Sequence, residues 1–558
     1  MDNHINNIIN GDAKKAAKSL QDFVEATAQT FIFPELSKSD KRKQLWEALF
    51  TLAGSTNDKN VLTNCFTAVR ILRYTTLIIC DKLINSSNFS REKVDLNELI
   101  TNEWFDLIKT HSGLSDPKYV FDDEHLSVAI EVQKSLCNLV FNSSVAAGMC
   151  CKNGILQLLT ERVKTHAENS VPKEIKFFDV KLIFLLTALC CEVRSKVKDD
   201  MEGVTSLINL LDFILKEAAE QSLPNVISLD DQNVDLVCEI LKALFNLTLN
   251  SYGISDDKDE EQCAHLVNVL RIYLLIPTTS KEKTVVLQNN IINLLTNMPS
   301  QTYKDLITTI QPEQNISNKF QYDGLNMTAF YEILKFLQDK FSDETSVNKQ
   351  YEVLSPVVTV LLKCANSERA IRKYLRSQIL PPLKDVHNRP EQGSTLRNHL
   401  CRLLTTPITQ LRDLVAELLF VLCKKNVKRM IKYTGYGNAA GLFAQRGLLG
   451  GRPDKEAADY SSDSEDSETE EYAEYKHGIN PVIGCYEEPH PNAMEDMTEE
   501  QKEYEAMKLV ELMDNLTKCG AIKPCRVGAD GKPHPIEHVL QLQEGLKCHR
   551  IEEGSDSD

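Results

Sequence analysis

Residues 134–143 read Lys-Ser-Leu-Cys-Asn-Leu-Val-Phe-Asn-Ser, and residues 242–251 read Lys-Ala-Leu-Phe-Asn-Leu-Thr-Leu-Asn-Ser. In both stretches a lysine precedes two asparagines that stand four residues apart, so polar side chains stack along one helix face beside an apolar stripe. A weaker copy, Asn289 with Asn293-Leu-Leu-Thr-Asn297, begins 47 residues after the second copy. This spacing indicates a helical repeat, because armadillo and HEAT repeats are about 40–47 residues long.

The chain around these copies carries the same helical pattern. Between residues 12 and 432, apolar residues recur every three or four positions, as in Leu414, Leu418, Val421 and Leu422. Apolar residues make up 42% of the 558 residues, whereas Gly (22) and Pro (19) are sparse, which favours helices. Because such repeats bury their apolar faces only against neighbours, we predict an all-α, armadillo/HEAT-like superhelical solenoid, followed by a disordered acidic tail with a short helix.

The tail contains one segment with a clear helix start. Thr498-Glu-Glu-Gln501 is a capping box, and Tyr504, Met507 and Met513 give the following helix an apolar side. A short isolated helix is marginal without a partner, so we expect it to dock on the solenoid or on a partner protein. The predicted divisions are a solenoid at 1–432, a Gly-rich exit segment at 433–453, an acidic phosphorylatable linker at 454–497, an amphipathic C-terminal helix at 498–518 and a poorly ordered tail at 519–558.

Charge is distributed unevenly along the chain. The net charge is −17, yet residues 1–452 are balanced, and residues 453–558 carry 27 Asp and Glu against 10 Lys and Arg. This acidity argues against nucleic acid as a partner, because phosphate binding needs a positive field. No run approaches the roughly 20 apolar residues of a membrane span. Since residues 1–16 have no apolar core either, we expect no signal peptide, no integral membrane segment and a cytoplasmic protein.

Several kinds of chemical site are not indicated. The 16 Cys lie mostly in apolar helical runs without C-x-x-C pairs and His partners, which predicts buried, reduced thiols and no metal site. The 12 His are scattered without a Ser-His-Asp or Cys-His motif, so we predict no catalytic residues, no cofactor and no enzyme. Residues 433–441 contain the glycines of a phosphate loop, but the spacing differs and a helix precedes them. We therefore predict a flexible exit from the solenoid there.

The polar face of the repeats has two interpretations. In the first, Asn138, Asn142, Lys242 and Asn246 line a concave groove, where the amides bond the backbone of a bound peptide. In the second, these residues are solvated or tie off nearby backbone. Clustered cations favour a groove, because like charges at i and i+4 are unfavourable unless an anion is present; the alternative, and the usual explanation for such a run, is a solvated helix face. The predicted basic groove residues are Arg70, Arg73, Arg369, Arg372, Lys373 and Arg376, and the expected partner segment is acidic or ends in a carboxylate.

Blocks in the later part of the sequence resemble one known family. Residues 432–442 read Lys-Tyr-Thr-Gly-Tyr-Gly-Asn-Ala-Ala-Gly-Leu, and residues 446–453 read Arg-Gly-Leu-Leu-Gly-Gly-Arg-Pro. Together with the blocks at 380–386, 480–482 and 497–510, they are similar to the synembryn family of G-protein α-subunit (Gα) chaperones and exchange factors.

The resemblance implies a fold, an activity and contact residues. A solenoid of this family binds GDP-bound or nascent Gα, promotes GDP release and holds the nucleotide-free form until GTP binds. Its groove holds the C-terminal helix of Gα, with Arg70, Arg369 and Lys373 as basic contacts, and the segment after the solenoid reaches the switch region. Tyr74 stands where relatives tend to have Arg. We also expect recruitment to the cell cortex or inner plasma membrane.

The alternative to an exchange factor is a general armadillo-type peptide-binding adaptor. Import adaptors typically combine an acidic groove with Trp-Asn ladders, whereas this chain has two Trp and basic groove candidates. One further partner is a calcium sensor, because residues 411–424 are amphipathic enough to enter its groove. For that segment, packing in the core of the last repeat is the favoured interpretation.

The acidic linker carries two predicted phosphorylation sites. Ser462 and Ser467 each have Glu three residues later, the pattern that an acidophilic kinase such as casein kinase 2 requires, and both match positions phosphorylated in the family. The alternative is an unmodified spacer, because Ser, Asp and Glu runs stay extended by repulsion alone.

Overall fold

The structure is a computed structural model that describes most of the chain. The described residues are 2–27, 36, 41–82, 97, 100–116, 118–167, 171–221, 227–249, 257–311, 316–342, 347–449, 469–488 and 497–536. They form two compact units, Met1–Leu306 and Ile307–Asp558.

The first unit consists of helices joined by short connections. A short 3-10 turn at Cys191–Val193 and a π-turn at Lys196–Asp200 follow α9, and a 3-10 helix at Ser300–Leu306 ends the unit. Its helices are α1 (Asp2–Asn10), α2 (Ala13–Thr27), α3 (Lys41–Ser55), α4 (Lys59–Lys82), α5 (Asn102–His111), α6 (Asp123–Asn142), α7 (Ser144–Lys152), α8 (Ile155–Thr165), α9 (Lys173–Leu189), α10 (Gly203–Gln221), α11 (Asp231–Thr248), α12 (Asp257–Leu275) and α13 (Lys281–Leu295).

These helices stack in two rows. In one row α4, α6, α9, α11 and α13 each pack on the next, and in the other row α8 packs on α10 and α10 on α12. Cross-packing of α8 on α9, α10 on α11 and α12 on α13 joins the rows. Because each helix meets mainly its neighbours in sequence order, the predicted all-α, armadillo/HEAT-like class is confirmed.

Side-chain caps fix where α6, α11 and α13 begin, three of the five helices in the first row, which is called the long row below. The Asp122 carboxylate accepts the His125 amide N–H at 2.7 Å, and the Asp230 carboxylate accepts the Asn233 amide N–H at 2.6 Å. The Ser280 hydroxyl accepts the Lys283 amide N–H in the same way. These bonds satisfy donors that the first helical turn leaves without partners.

The second unit contains helices and three small antiparallel sheets. The sheets have the strand orders β1-β3-β2, β4-β5 and β6-β7. The elements are β1 (Thr308–Thr309), β2 (Gln321–Tyr322), β3 (Leu325–Asn326), α14 (Thr328–Ser342), α15 (Val347–Ser367), α16 (Arg369–Ile379), α17 (Leu396–Leu403), α18 (Thr409–Leu422), α19 (Val427–Thr434), α20 (Tyr436–Arg446), α21 (Glu470–Tyr475), β4 (Ile479–Asn480), β5 (Cys485–Tyr486), α22 (Glu499–Lys518), β6 (Cys525–Val527) and β7 (Pro533–Pro535). Below, β4–β5 is called hairpin 1 and β6–β7 hairpin 2.

Helix α18 is the centre of the second unit. It packs against α15, α16, α17, α19 and α20, and its residues Leu418–Leu422 are all buried. The favoured interpretation of this segment, packing in a repeat core, is confirmed, and its apolar face is not available to a calcium sensor in the folded chain.

Two predicted irregular segments are ordered, and those predictions are wrong. Residues 436–446 of the predicted flexible exit form α20, because Ala439, Leu442 and Phe443 are buried against the unit. Residues 525–535 of the predicted poorly ordered tail form hairpin 2. Among the described residues, no helix combines the length and apolarity needed to cross a bilayer.

Candidate functional site

The two matching stretches place the same side chains on α6 and α11, two helices of the long row that α9 separates. On α6 the Lys134 ammonium pairs with the Glu131 carboxylate at 2.8 Å, and on α11 Lys242 pairs with Glu239 at 2.7 Å. Lys242 also lies 4.9 Å from the centre of the Phe184 ring on α9, so that the ring face attracts the cation. The lysine of each repeat is therefore held in place by its own helix.

Arg70, Glu131 and Lys134 form one cluster of charges, called the charged frame below. The Arg70 Nε donates to Glu131 at 3.0 Å, and the Thr67 hydroxyl bonds the same carboxylate oxygen. Arg70 and Lys134 thus share one carboxylate, which leaves one positive charge in excess at a half-buried position. The backbone of Arg73 lies in α4, but its side chain lies outside what the structure describes.

The asparagines tie neighbouring helices together. The Asn246 amide donates to the Phe184 carbonyl at 3.2 Å and to the Thr187 hydroxyl at 3.1 Å. One helix later the Asn297 amide repeats this, donating to the Phe245 carbonyl and the Thr248 hydroxyl. Asn246 is buried, so its amide fits the interpretation in which the asparagines tie off nearby backbone. This repeated bond sets the spacing of the long row.

The first copy of the motif is more open. The Asn142 amide donates to the Asn138 carbonyl of its own helix at 2.6 Å, and both residues are half-buried. Beside them Phe141 is 59% exposed, and Leu189, at the end of α9, is 48% exposed. Exposed apolar side chains and held cations in the same row of helices suit an amphipathic partner helix, because both kinds of side chain find a counterpart on it.

The predicted cations of the second unit lie on α16. Arg369 is exposed at the first residue of the helix, and Arg372 and Lys373 are half-buried. The Arg372 guanidinium donates to the Ala365 carbonyl at the end of α15 at 2.7 Å, which also ties off that helix. Arg376 is buried and is not presented to solvent.

The glycine segment that resembled a phosphate loop is occupied by the chain itself. The amide N–H groups of Tyr436 and Gly437, at the start of α20, donate to the carbonyls of Pro481 and Val482 at 2.8 and 2.9 Å. These are the donors that would bind phosphate at a helix N-terminus. Hairpin 1 takes that place, which explains the glycines without a nucleotide.

The tail before hairpin 1 is anchored by polar and aromatic contacts. The Thr469 hydroxyl bonds the Leu383 carbonyl and also caps α21. Farther along, the rings of His387, Tyr475 and Tyr486 pack edge-to-face with centroids 4.7–5.5 Å apart. Ser462 and Ser467 lie outside the described residues, and the next described residue, Thr469, contacts the second unit.

Sequence reasoning missed a buried polar network in the first unit. The Asp179 carboxylate on α9 accepts Nε and NH2 of Arg162 on α8 at 2.7 and 2.5 Å, and Nε2 of His166 lies 3.1 Å from it. Gln133 on α6 donates to the same carboxylate, and Arg162 also donates to the Ser112 carbonyl. The available signal was Arg162 and His166, two ionisable residues at i and i+4 on the buried stripe of α8.

In this network the pKa values of Asp179 and His166 are both lowered. Burial by itself raises the pKa of a carboxyl, but Arg162 and His166 outweigh it and hold the pKa of Asp179 below its ordinary value. Burial lowers the pKa of His166, although Asp179 opposes the effect. Asp179 is therefore ionised and His166 neutral near pH 7.

Helix α22 presents an unpacked apolar side. No residue of this helix is buried, and Tyr504, Met507 and Val510 are 67%, 69% and 37% exposed. The Thr498 capping box predicted from sequence is present, with the Thr498 hydroxyl and the Gln501 side chain bonding each other's backbone N–H. The N-terminus of the helix is therefore capped, but no residue on its apolar side is buried within the second unit.

Comparison with known proteins identifies the family. A family model described as "Guanine nucleotide exchange factor synembryn" matches residues 88–532. The chain belongs to the synembryn family. The Chaperone Ric-8 of Drosophila pseudoobscura pseudoobscura is 37% identical over 577 residues, which span 99% of each chain. The Chaperone Ric-8A of Gallus gallus is 36% identical over 542 residues, or 95% of each chain, and that of Xenopus laevis is 36% identical over 563 residues.

The residues predicted to contact a partner fall into two sets in this synembryn-family chain. In the first unit, Arg70 lies on α4, Asn138 and Asn142 lie on α6, and Lys242 and Asn246 lie on α11, three helices of the long row. Arg369, Arg372 and Lys373 lie on α16 of the second unit. The role of both sets in binding a partner stays a prediction.

Proposed function

We propose that this chain is a chaperone and guanine nucleotide exchange factor for Gα, and that it acts by binding without chemical catalysis. The family match over residues 88–532 carries the proposal. The curated relatives, which are named chaperones, align along almost the whole chain and therefore support the chaperone role as well as exchange.

In this proposal the long row of the first unit receives the C-terminal helix of Gα. Arg70 and Lys134 share the single Glu131 carboxylate, so the frame has capacity for one more anion. The terminal carboxylate or an acidic side chain of a partner helix supplies it, at the strength of a charge-assisted hydrogen bond. Phe141 and Leu189 then contact the apolar side of that helix.

Helix α16 contributes a second basic contact for Gα. Arg369 and Lys373 stand at i and i+4 on this helix, so both can meet one anionic partner segment through charge-assisted hydrogen bonds. Since Arg369 is exposed, changing its charge should affect binding far more than folding.

Exchange follows from thermodynamic linkage. If the chain binds a Gα state in which the C-terminal helix has left its own domain, it favours the state with a loosened guanine pocket. GDP affinity then falls by the same factor by which GDP weakens binding of the chain, and GTP reverses the effect. No bond is made or broken, so the role requires contact surfaces and no catalytic residues.

The tail acts on the same partner in this proposal. The apolar side of α22 meets the switch region of Gα, which gives that side the covering that the second unit does not provide. Phosphorylation of Ser462 and Ser467 by an acidophilic kinase of the casein kinase 2 type adds about −1.5 to −2 charge each. We place the protein in the cytoplasm, with recruitment to the inner plasma membrane where Gα is found.

The test is GDP release from purified Gα. The wild-type chain should accelerate release, and Arg369→Glu/Lys373→Glu should slow it about tenfold, the equivalent of roughly 1.4 kcal/mol of binding energy. The control is Lys335→Glu/Lys349→Glu, the same charge change at exposed positions on α14 and α15. Thermal unfolding of all three proteins should be alike. No acceleration by wild type would reject the function, whereas equal slowing by both variants would reject α16 as the contact.

A further inference from the structure

Both ends of α20 are occupied by segments that return from the tail. At its start Tyr436 and Gly437 donate to Pro481 and Val482 in the turn of hairpin 1. At its end the Leu449 amide N–H donates to the Gly531 carbonyl in the turn of hairpin 2 at 3.3 Å. A helix of 11 residues is roughly 16 Å long, so the two hairpins sit about that far apart.

Each contact brings two glycines together. Gly435 and Gly447 flank α20, and each faces a hairpin glycine, Gly484 and Gly531 respectively. A Cβ on Gly484 would lie 2.9 Å from the Gly435 Cα, and a Cβ on Gly531 would lie 1.8 Å from the Gly447 carbonyl oxygen. All four glycines have φ between +71° and +75°, so both sterics and backbone conformation require glycine there.

Hairpin 2 is braced internally. The Gly528 amide N–H donates to the Lys532 carbonyl at 2.9 Å, and the His534 imidazole meets the Asp530 carboxylate at 2.9 Å. At its base the Ile536 amide N–H donates to the Pro524 carbonyl, and the Ile536 side chain is buried. The hairpin is thus held by its own bonds and can transmit its position to the chain on either side.

The chain between the two hairpins consists mainly of α22. The helix ends at Lys518, the Ala521 amide N–H donates back to the Leu516 carbonyl at 2.9 Å just beyond it, and hairpin 2 starts at Cys525. Because α22 buries none of its own residues, its position depends on the chain on either side of it. With 20 residues it is about 30 Å long, and it lies in sequence between the two hairpins that contact the ends of α20.

We propose that hairpin 2 is a positioning element that closes the loop of chain between the two hairpins and holds the apolar side of α22 ready for Gα. A helix tethered at one end explores many orientations, and closing the loop removes that freedom before the partner binds. The identity of the partner rests on the function proposed above. The contact of hairpin 2 with the end of α20 and its effect on the position of α22 do not depend on that function.

The test replaces Gly531 in the full-length chain. Gly531→Ala adds a methyl group into the Gly447 carbonyl, and Gly447→Ala attacks the contact from the other side, where its Cβ would lie 2.5 Å from the Asp530 carbonyl oxygen. Gly520→Ala is the matched control, since Gly520 has the same φ of +75° but no atom within 4 Å of the added carbon. All variants should keep the circular dichroism of wild type, and their unfolding is compared with that of Gly520→Ala, which carries the backbone strain of a positive φ without the steric contact.

Three measurements read the result. Hydrogen exchange of the amides at 447–449 and 525–536 reports the seating of hairpin 2. Cross-linking from Lys502 and Lys508 reports where α22 lies, and Gα affinity reports the consequence. We expect both contact variants to lose amide protection and to spread the cross-links over more lysines. Their Gα binding should weaken about tenfold, the loss expected when one of two tethers opens. The Gly520→Ala protein should behave like wild type in all three.

Three results would overturn the proposal. Fast exchange at 447–449 and 525–536 in the wild-type chain would show that hairpin 2 is not seated. Lost protection with unchanged cross-links would show that the hairpin does not position α22, and unchanged Gα affinity would show that positioning does not serve binding. If wild type binds no Gα at all, the proposed function fails, while exchange and cross-linking still decide the role of hairpin 2.

Discussion

Replacing Asp179 with asparagine should be among the most destabilising single changes in the first unit. The Arg162 side chain is 1% exposed and Asp179 is fully buried, so Asp179→Asn leaves a guanidinium without its counter-ion and without water. Asparagine keeps one acceptor oxygen but loses the charge and one of the two bonds to Arg162. Breaking a buried ion pair from one side costs about 3–5 kcal/mol, and we expect the free energy of unfolding to fall by that amount.

The matched control is Glu131→Gln, the same chemical change in the other ion-pair cluster. Glu131 is 13% exposed, and its partners Arg70 and Lys134 are 28% and 36% exposed, so water can replace the lost charge. We expect a loss of about 1 kcal/mol or less. Urea unfolding followed by circular dichroism measures both, with the slope against urea as the check that the unfolding reaction is unchanged. If Asp179→Asn lies within about 1 kcal/mol of the control, the counter-ion argument is refuted.

Three further predictions follow from named contacts. Burial lowers the pKa of His166 in the folded chain, so the unfolded chain takes up a proton at His166 first as the pH drops. The free energy of unfolding therefore falls below about pH 6.5. In His166→Gln the pH dependence of unfolding should be shallower in that range. Gly435→Ala puts a Cβ 3.1 Å from the Val482 carbonyl oxygen at a φ of +75°, so it should cost about 1–3 kcal/mol and raise hydrogen exchange at 479–486. Ser462→Ala/Ser467→Ala should remove the gain in GDP release that kinase treatment gives the wild-type chain, while the untreated proteins stay equal.

The parts of the structure that sequence predicted are those with local causes. Helical periodicity and the Lys-x-x-x-Asn repeats indicate the stacked helices, and the Thr498 capping box gives the start of α22, because each depends on residues within one or two turns. The role of Asn246 was left open, since its bonds to Phe184 and Thr187 cross 62 and 59 positions of sequence. The stacking of the helices determines that the Asn246 amide faces α9.

The missed parts depend on residues that are distant in sequence. No local sequence pattern pairs Asp179 with Arg162. In the sequence alone Asp179 is a polar residue in an apolar helix, and only the structure shows that its charge is buried. The hairpins are two or three residues long on each strand, too short for a strand pattern to register. Their position comes from backbone contacts with α20 across more than 40 residues of sequence, which no periodicity records.

The glycines around α20 led to the prediction of a flexible segment, but in the structure they allow two backbones to approach closely. Glycine is typical of flexible ends, but it is also required where two backbones approach without room for a side chain. Gly435 and Gly447 serve the second purpose, because each flanks α20 and each meets a glycine of a returning hairpin. The block that marks the family, residues 432–453, therefore contains the helix on which the tail closes. The acidic linker with Ser462 and Ser467 lies between Leu449, whose amide bonds the turn of hairpin 2, and Thr469, whose hydroxyl bonds the Leu383 carbonyl, so the residues that flank it on both sides are bonded within the second unit. Phosphates added to the linker therefore place their charge on a segment whose two flanks are held by the same unit.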